Sequence, residues 1–183
     1  MKKTPLYQWH VANGANMAEF GAYHMPLWYP QGVKTEHFSV IERAGLFDTS
    51  HMATILVRGA GARSLLQRAF TKDLDRCIGR EADPLHPGRS VYGIFLSDKG
   101  HVIDDAIVSQ VGETLYLVVV NAGMGKVISE PLENMEDSTD VAVTSLADAL
   151  GKIDIQGPLA AKILSVHLKN PDDVLSRLPY FSF

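Results

Sequence analysis

The tightest constraint on this chain is residues 92–108, YGIFLSDKGHVIDDAIV. Two apolar runs flank the turn cluster Ser97-Asp98-Lys99-Gly100, in which Gly100 is free to take a positive φ. That pattern predicts a β-hairpin. Its second strand, residues 102–108, is apolar except for two adjacent carboxylates, Asp104 and Asp105. Neighbours on a strand point to opposite faces, so only one of the two can face a given cleft. Asp104 shares a face with Val102, Ala106 and Val108, and Asp105 with Ile103, Ile107 and Ser109. Both companies are apolar, so periodicity does not choose between them. A carboxylate on an apolar face is costly unless it is paired or used. The plainer alternative is a sheet-edge acid bonded to a loop amide or to an Arg or Lys.

A hairpin needs a body to lie against. The 183 residues are 46% hydrophobic and 21% charged, enough for one sizeable domain, or one small domain with part of another. The net charge of −4 offers no basic field, so no nucleic-acid partner is expected. A single cysteine, Cys77, excludes an internal disulfide. The opening MKKTPLYQWH has no signal-peptide run and no apolar stretch is long enough for a bilayer, so a cytoplasmic protein without membrane contact is expected. The histidines show no HExxH-type pairing, so no metal site is expected, and His51 reads as a satisfied, partly buried imidazole.

Along the chain, Thr4-Pro5 predicts a helix with Leu6, Trp9 and His10 on one face, ended by Asn13-Gly14. The aromatic stretch after it, broken by Gly21, Pro26, Pro30 and Gly32, predicts short strands and turns. Residues 33–44 predict a helix with Val33, His37, Val40 and Ile41 inward and Gly45 as its stop. Then come a strand from Thr54, an amphipathic helix over residues 61–70 and a loop over 74–88. The hairpin follows, then a strand over residues 114–120 that Asn121-Ala122-Gly123 ends, a helix over 125–135 with Val127, Ile128 and Leu132 inward, and a strand over 141–146. This order predicts an α+β fold, a ferredoxin-like lobe with one additional strand. A strand through Ile155 and a helix from Pro158 then open a second lobe. The expected division is residues 1–52 as an N-terminal segment, 53–147 as the ferredoxin-like lobe and 148–183 as the start of the second.

Taken together, TPLYQWH at Thr4, AEFGAYHMPLWY at Ala18, AGLFDTSHM at Ala44, DKGHVIDDAIV at Asp98, LVVVNAG at Leu117 and IQGP at Ile155 resemble, in order, the N-terminal part of the aminomethyltransferases, the T-protein family of the glycine cleavage system. The resemblance implies a folate-binding domain of two ferredoxin-like lobes and tetrahydrofolate as cofactor. It implies one-carbon transfer from the lipoyl arm of a carrier protein, the H-protein. Folate-dependent demethylases and folate-binding modules without turnover are similar in this half, so both stand as alternatives.

The resemblance also implies roles for particular residues. The family's catalytic acid falls on Asp105, and the folate-binding positions on Asn121, Tyr92 and Met52. One-carbon transfer develops positive charge on an amine, which a fixed carboxylate stabilises. Asn121 would meet the pterin edge, Tyr92 would supply a flat surface and Met52 an adaptable one. The sequence departs from the family in having His101-Val102 after Gly100 where two glycines are common. The family's later folate ligands and its C-terminal β domain lie beyond Phe183. The second lobe is therefore expected from a partner chain or from self-association.

Overall fold

The structure is a computed structural model that describes residues 1–135, 140–147 and 149–183. Residues 136–139, within the expected first lobe, and residue 148, where the second was expected to open, lie outside the described residues. The chain divides into two compact units. One comprises Met52–Leu150 with Tyr180–Phe183, and is called here the sheet unit. The other comprises Met1–His51 with Gly151–Pro179, and is called the ribbon unit.

The sheet unit runs β4 (Met52–Arg58), α3 (Ala62–Ala69), β5 (Arg89–Leu96), β6 (Val102–Gly112), β7 (Leu115–Ala122), α4 (Gly125–Glu133) and β8 (Ala142–Ser145). Its five strands form one antiparallel sheet in the order β5-β6-β7-β4-β8. This is the ferredoxin-like lobe: β4, α3, β6, β7, α4 and β8 make the βαββαβ unit, and β5 is the additional strand at the sheet edge beside β6. Alternate residues of each strand, among them Ile55, Val57, Val91, Phe95, Val108, Tyr116, Val118 and Val120, build a closed apolar core with Leu65 and Leu66 of α3 and Ile128 and Leu132 of α4. Val127, expected inward, is exposed, and Gly125 and Ser129 take the buried positions instead. A Cβ on Gly125 would lie 2.9 Å from that of Ala53, so only glycine lets α4 approach β4 this closely.

The long loop between α3 and β5 is pinned by Arg63, whose guanidinium donates to the carbonyls of Leu74 and Leu85 and to Asp75. That leaves Leu74, Ile78 and Leu85 inside the core. β7 continues through Asn121 to Ala122, beyond its expected end, and Gly123 at φ 81° makes the turn. Residues 180–183 pair alongside β5 through bonds from Ser90 to Phe181 and from Phe183 to Gly88.

The ribbon unit holds α1 (Tyr7–Ala12), the hairpin β1 (Asn16–Phe20) and β2 (Tyr23–Trp28), and α2 (Val33–Glu42). It also holds β3 (Gly45–Asp48), β9 (Ile153–Gln156), α5 (Ala160–Ser165) and α6 (Pro171–Ser176). β3 pairs antiparallel with β9 in a two-stranded sheet. Gly21 and Ala22, both at positive φ, turn the β1–β2 hairpin. The expected inner stripe of α2 is not buried: no residue of that helix is, because the two short ribbons offer too little sheet to cover it. Gly45 does not stop α2 but opens β3, where a Cβ would meet Val40 at 2.6 Å. Of the expected α1 face only His10 is buried; Trp9 is exposed. No helix among the described residues is long and apolar enough to cross a membrane.

Candidate functional site

The hairpin β5–β6 is built as its turn chemistry requires, with Gly100 at φ 76°. It contains one irregularity that matters. Phe95 pairs with Asp104 and Leu96 with Val102, so Ile103 is an extra residue, a β-bulge. Strict alternation would put Ile103 beside Asp105. Instead Ile103 packs against the apolar core and lines a groove of about 430 Å3 with Phe70, Phe95 and Val127. That groove includes none of Tyr92, Asp105, Asn121 or Met52.

Past the bulge the alternation is regular and separates the two carboxylates. Asp104 falls on the core face with Ala106 and Val108, and is only 8% exposed. Asp105 falls on the opposite face and is exposed. Ile94 pairs with Asp105 and Tyr92 with Ile107, so Tyr92 shares the Asp105 face at 52% exposure. The Tyr92 hydroxyl donates to Asp105 Oδ2 at 3.0 Å. This bond and the carboxylate charge raise the Tyr92 pKa, keeping the phenol a donor.

Asn121 links the pair. The β6–β7 register runs out at Ala106 and Val120. The next main-chain N–H, that of Asn121, is taken by Asp104 Oδ2 at 2.9 Å. The Asn121 Nδ2 donates to Asp104 Oδ1 and to Asp105 Oδ1, each at 2.8 Å. Tyr92, Asp105 and Asn121 thus form one hydrogen-bonded group across three adjacent strands. Met52 opens β4 opposite Ala122, the residue after Asn121, and is half-buried. The strand register brings it to this end of the sheet.

Sequence reasoning missed two arrangements. One is the Asp104–Asn121 latch; a bulge and a side-chain bond to a neighbouring strand leave no periodic trace. The other lies in the ribbon unit. His10 Nε2 meets Asp48 Oδ2 at 2.9 Å, and His10 Nδ1 meets the Tyr29 hydroxyl at 2.7 Å. A carboxylate only accepts, so Nε2–H donates to Asp48 and, in the neutral ring, Nδ1 accepts from Tyr29. Burial pushes the Asp48 pKa up, but the bonds from His10 and Ser50 outweigh it and hold the carboxyl below its usual value. His51 is half-buried between Phe20 and Tyr23 as expected, yet its Nδ1 is buried without a hydrogen bond, so it is not fully satisfied. Among the described residues, no cluster of His, Cys, Asp or Glu could hold a metal ion.

Residues 6–183 match the family model of the GCVT N-terminal domain, and the chain belongs to that family. It is 36% identical over 168 residues to an aminomethyltransferase of Deinococcus deserti, covering 92% of this chain and 44% of the relative. It is 34% identical over 183 residues to that of Chloroherpeton thalassium, covering 100% and 47%. The fold matches the crystal structure of glycine cleavage system aminomethyltransferase T from Bartonella henselae with a TM-score of 0.85 and 32% identity, covering 99% of this chain and 46% of that one. The chain therefore spans about half the length of the relatives it matches.

Proposed function

We propose that this protein takes part in tetrahydrofolate-dependent aminomethyl transfer, with Asp105 as the catalytic acid and Asn121, Tyr92 and Met52 on the folate side. One observation carries the reading. An exposed carboxylate is held at two points, by Tyr92 and Asn121, on an otherwise half-buried sheet face. Two fixed donors cost an exposed carboxylate side-chain freedom, and preorganisation of this kind suits a group that must meet developing positive charge.

The residues fit a reduced folate. The Tyr92 O–H and both Asn121 Nδ2 hydrogens are spent on carboxylates, so the outward valences are acceptors. The pterin edge and the folate amines carry the matching N–H donors. When bound, the folate supplies the nitrogen that receives the one-carbon unit. Asp105 would hold that amine and stabilise charge near it, and the Tyr92 ring would offer a flat apolar surface. The donor in this reading is a lipoylated carrier protein, the H-protein.

In this reading the remainder of the folate site lies on a second lobe that packs against further apolar surface of this chain. The exposed Leu159, Ile163 and Val166 support this. Light scattering after size exclusion should then show association of the chain as it stands; a stable monomer binding reduced folate at micromolar Kd or better would argue against it.

The test of the reaction is formation of methylenetetrahydrofolate from a lipoylated donor by the complete protein and its Asp105→Asn variant. A fixed electrostatic group of this type contributes about 3 kcal/mol, so the variant should fall on the order of a hundredfold in rate. Asp104→Asn should retain more activity. Equal losses in two folded variants would mean that Asp105 is not the acid. Folate binding without turnover in the wild type would replace an enzyme with a binding module or scaffold. Turnover of a methylated amine in place of the lipoylated donor would indicate a demethylase-type relative.

A further inference from the structure

Asp104 is the carboxylate that the proposed chemistry leaves unused, and its position is an expensive one. It is 8% exposed, on the face that carries Ala106 and Val108. A buried carboxylate costs more than an apolar residue of similar size unless its oxygens are fully engaged. Both oxygens are engaged, and both by one residue: Oδ2 with the Asn121 main-chain N–H, Oδ1 with the Asn121 side-chain amide. The other hydrogen of that amide goes to Asp105.

This geometry fixes which way round the amide lies. The two ends of an asparagine side chain are nearly the same shape, and partners alone decide its orientation. Turned over, Asn121 would set its carbonyl oxygen against two carboxylate oxygens, each 2.8 Å from the present nitrogen position. Acceptor against acceptor at that distance is repulsive. Asp105 is less suited to impose the orientation, because it is exposed and shares itself with Tyr92.

We propose that Asp104 is a positioning residue that sets the hydrogen-bond polarity of the site. It keeps both Asn121 amide hydrogens turned inward, so that the Asn121 Oδ1 is what a ligand meets. The site then selects ligands whose approaching edge carries N–H donors, such as an aminopyrimidinone ring, and rejects edges that offer only acceptors. The choice of reduced folate as probe rests on the function proposed above; the orientation of the amide does not.

Asp104→Asn tests this without changing shape. It still accepts the Asn121 main-chain N–H, but sets an NH2 group against the Asn121 NH2, so the amide turns over and presents N–H outward. Two readouts on the complete protein follow. The first is solvent exchange of the Asn121 side-chain amide protons by NMR, assigned by their absence in Asn121→Ala. They should exchange slowly in the wild type and much faster in Asp104→Asn. The second is titration with a stable reduced folate, which should bind roughly tenfold more weakly to the variant. Unchanged protection, or unchanged affinity in a folded variant, overturns the proposal. Should the variant not fold, the wild type alone decides: rapidly exchanging Asn121 amide protons overturn it, and slow ones support it. A wild type that binds no reduced folate refutes the function proposed above, while the amide exchange still decides the role of Asp104.

Discussion

In the sheet unit the deepest side chains are Ile55, Val57, Leu65, Leu66, Val108 and Val118, all fully buried. In the ribbon unit they include His10 and Asp48, 3% and 1% exposed, while Leu46 of β3 stands 71% exposed. One unit coheres through apolar packing, the other through a buried polar network joining α1, β3 and Tyr29. Apolar packing is non-directional and tolerates relaxation; a buried hydrogen-bond network fails when one member is lost, because its partners stay behind unsatisfied. The sheet unit can therefore carry a costly feature, the buried Asp104, at its margin. The ribbon unit has no such reserve, having already placed polar groups at its centre.

The comparison can be broken most forcefully at Leu66. Leu66→Ala should cost about 3 to 5 kcal/mol in the sheet unit, read as lost hydrogen-exchange protection across β4 to β7. A cost below about 1 kcal/mol would deny that the apolar core holds that unit together. Next in size is His10→Ala, which strips a donor from Asp48 and the acceptor from Tyr29. It should lower protection in α1 and β3 by about 2 to 3 kcal/mol. A milder version needs no mutation. Because the folded Asp48 pKa lies below the ordinary carboxylate value, its stabilising contribution is fully present above about pH 4. It is lost as pH falls through the lowered folded value. Exchange in β3 should then rise on acidification before that of Val108 or Val118; the reverse order would contradict the assignment. The smallest effect is expected at Ile41 of α2, 56% exposed, where Ile41→Ser should change stability by no more than about 0.5 kcal/mol in either direction.

The same contrast explains what could be read from the chain. The element order of the sheet unit was legible because turn residues and alternating apolar positions recur at short range, as at Ser97 to Gly100. The inner face expected for α2 was not found, because an apolar pattern names a face without supplying something to cover it, and Val33 and Ile41 are exposed. Residues 10, 29 and 48 are linked by no local spacing, so their network was invisible. The choice between Asp104 and Asp105 could not be made from alternation, since both have apolar companions. Alternation also misassigned Ile103, which the bulge turns toward the core. The resemblance nominated Asp105 without showing that Asp104 and Asn121 are bound together.

The bulge at Ile103 also governs how much change the hairpin can absorb. A shift of one residue along a strand ordinarily exchanges its two faces, and here it would swap the latched carboxylate for the exposed one. The extra residue sits between the turn and the acid pair, so the indexing of Asp104 and Asp105 is set from the β7 side, through Asn121. It does not depend on the number of residues in the 97–101 turn. Lengthening or shortening that turn by a residue can be taken up at the bulge, as by a slip joint. Related chains can thus differ in their hairpin tips while the two aspartates keep their opposite assignments.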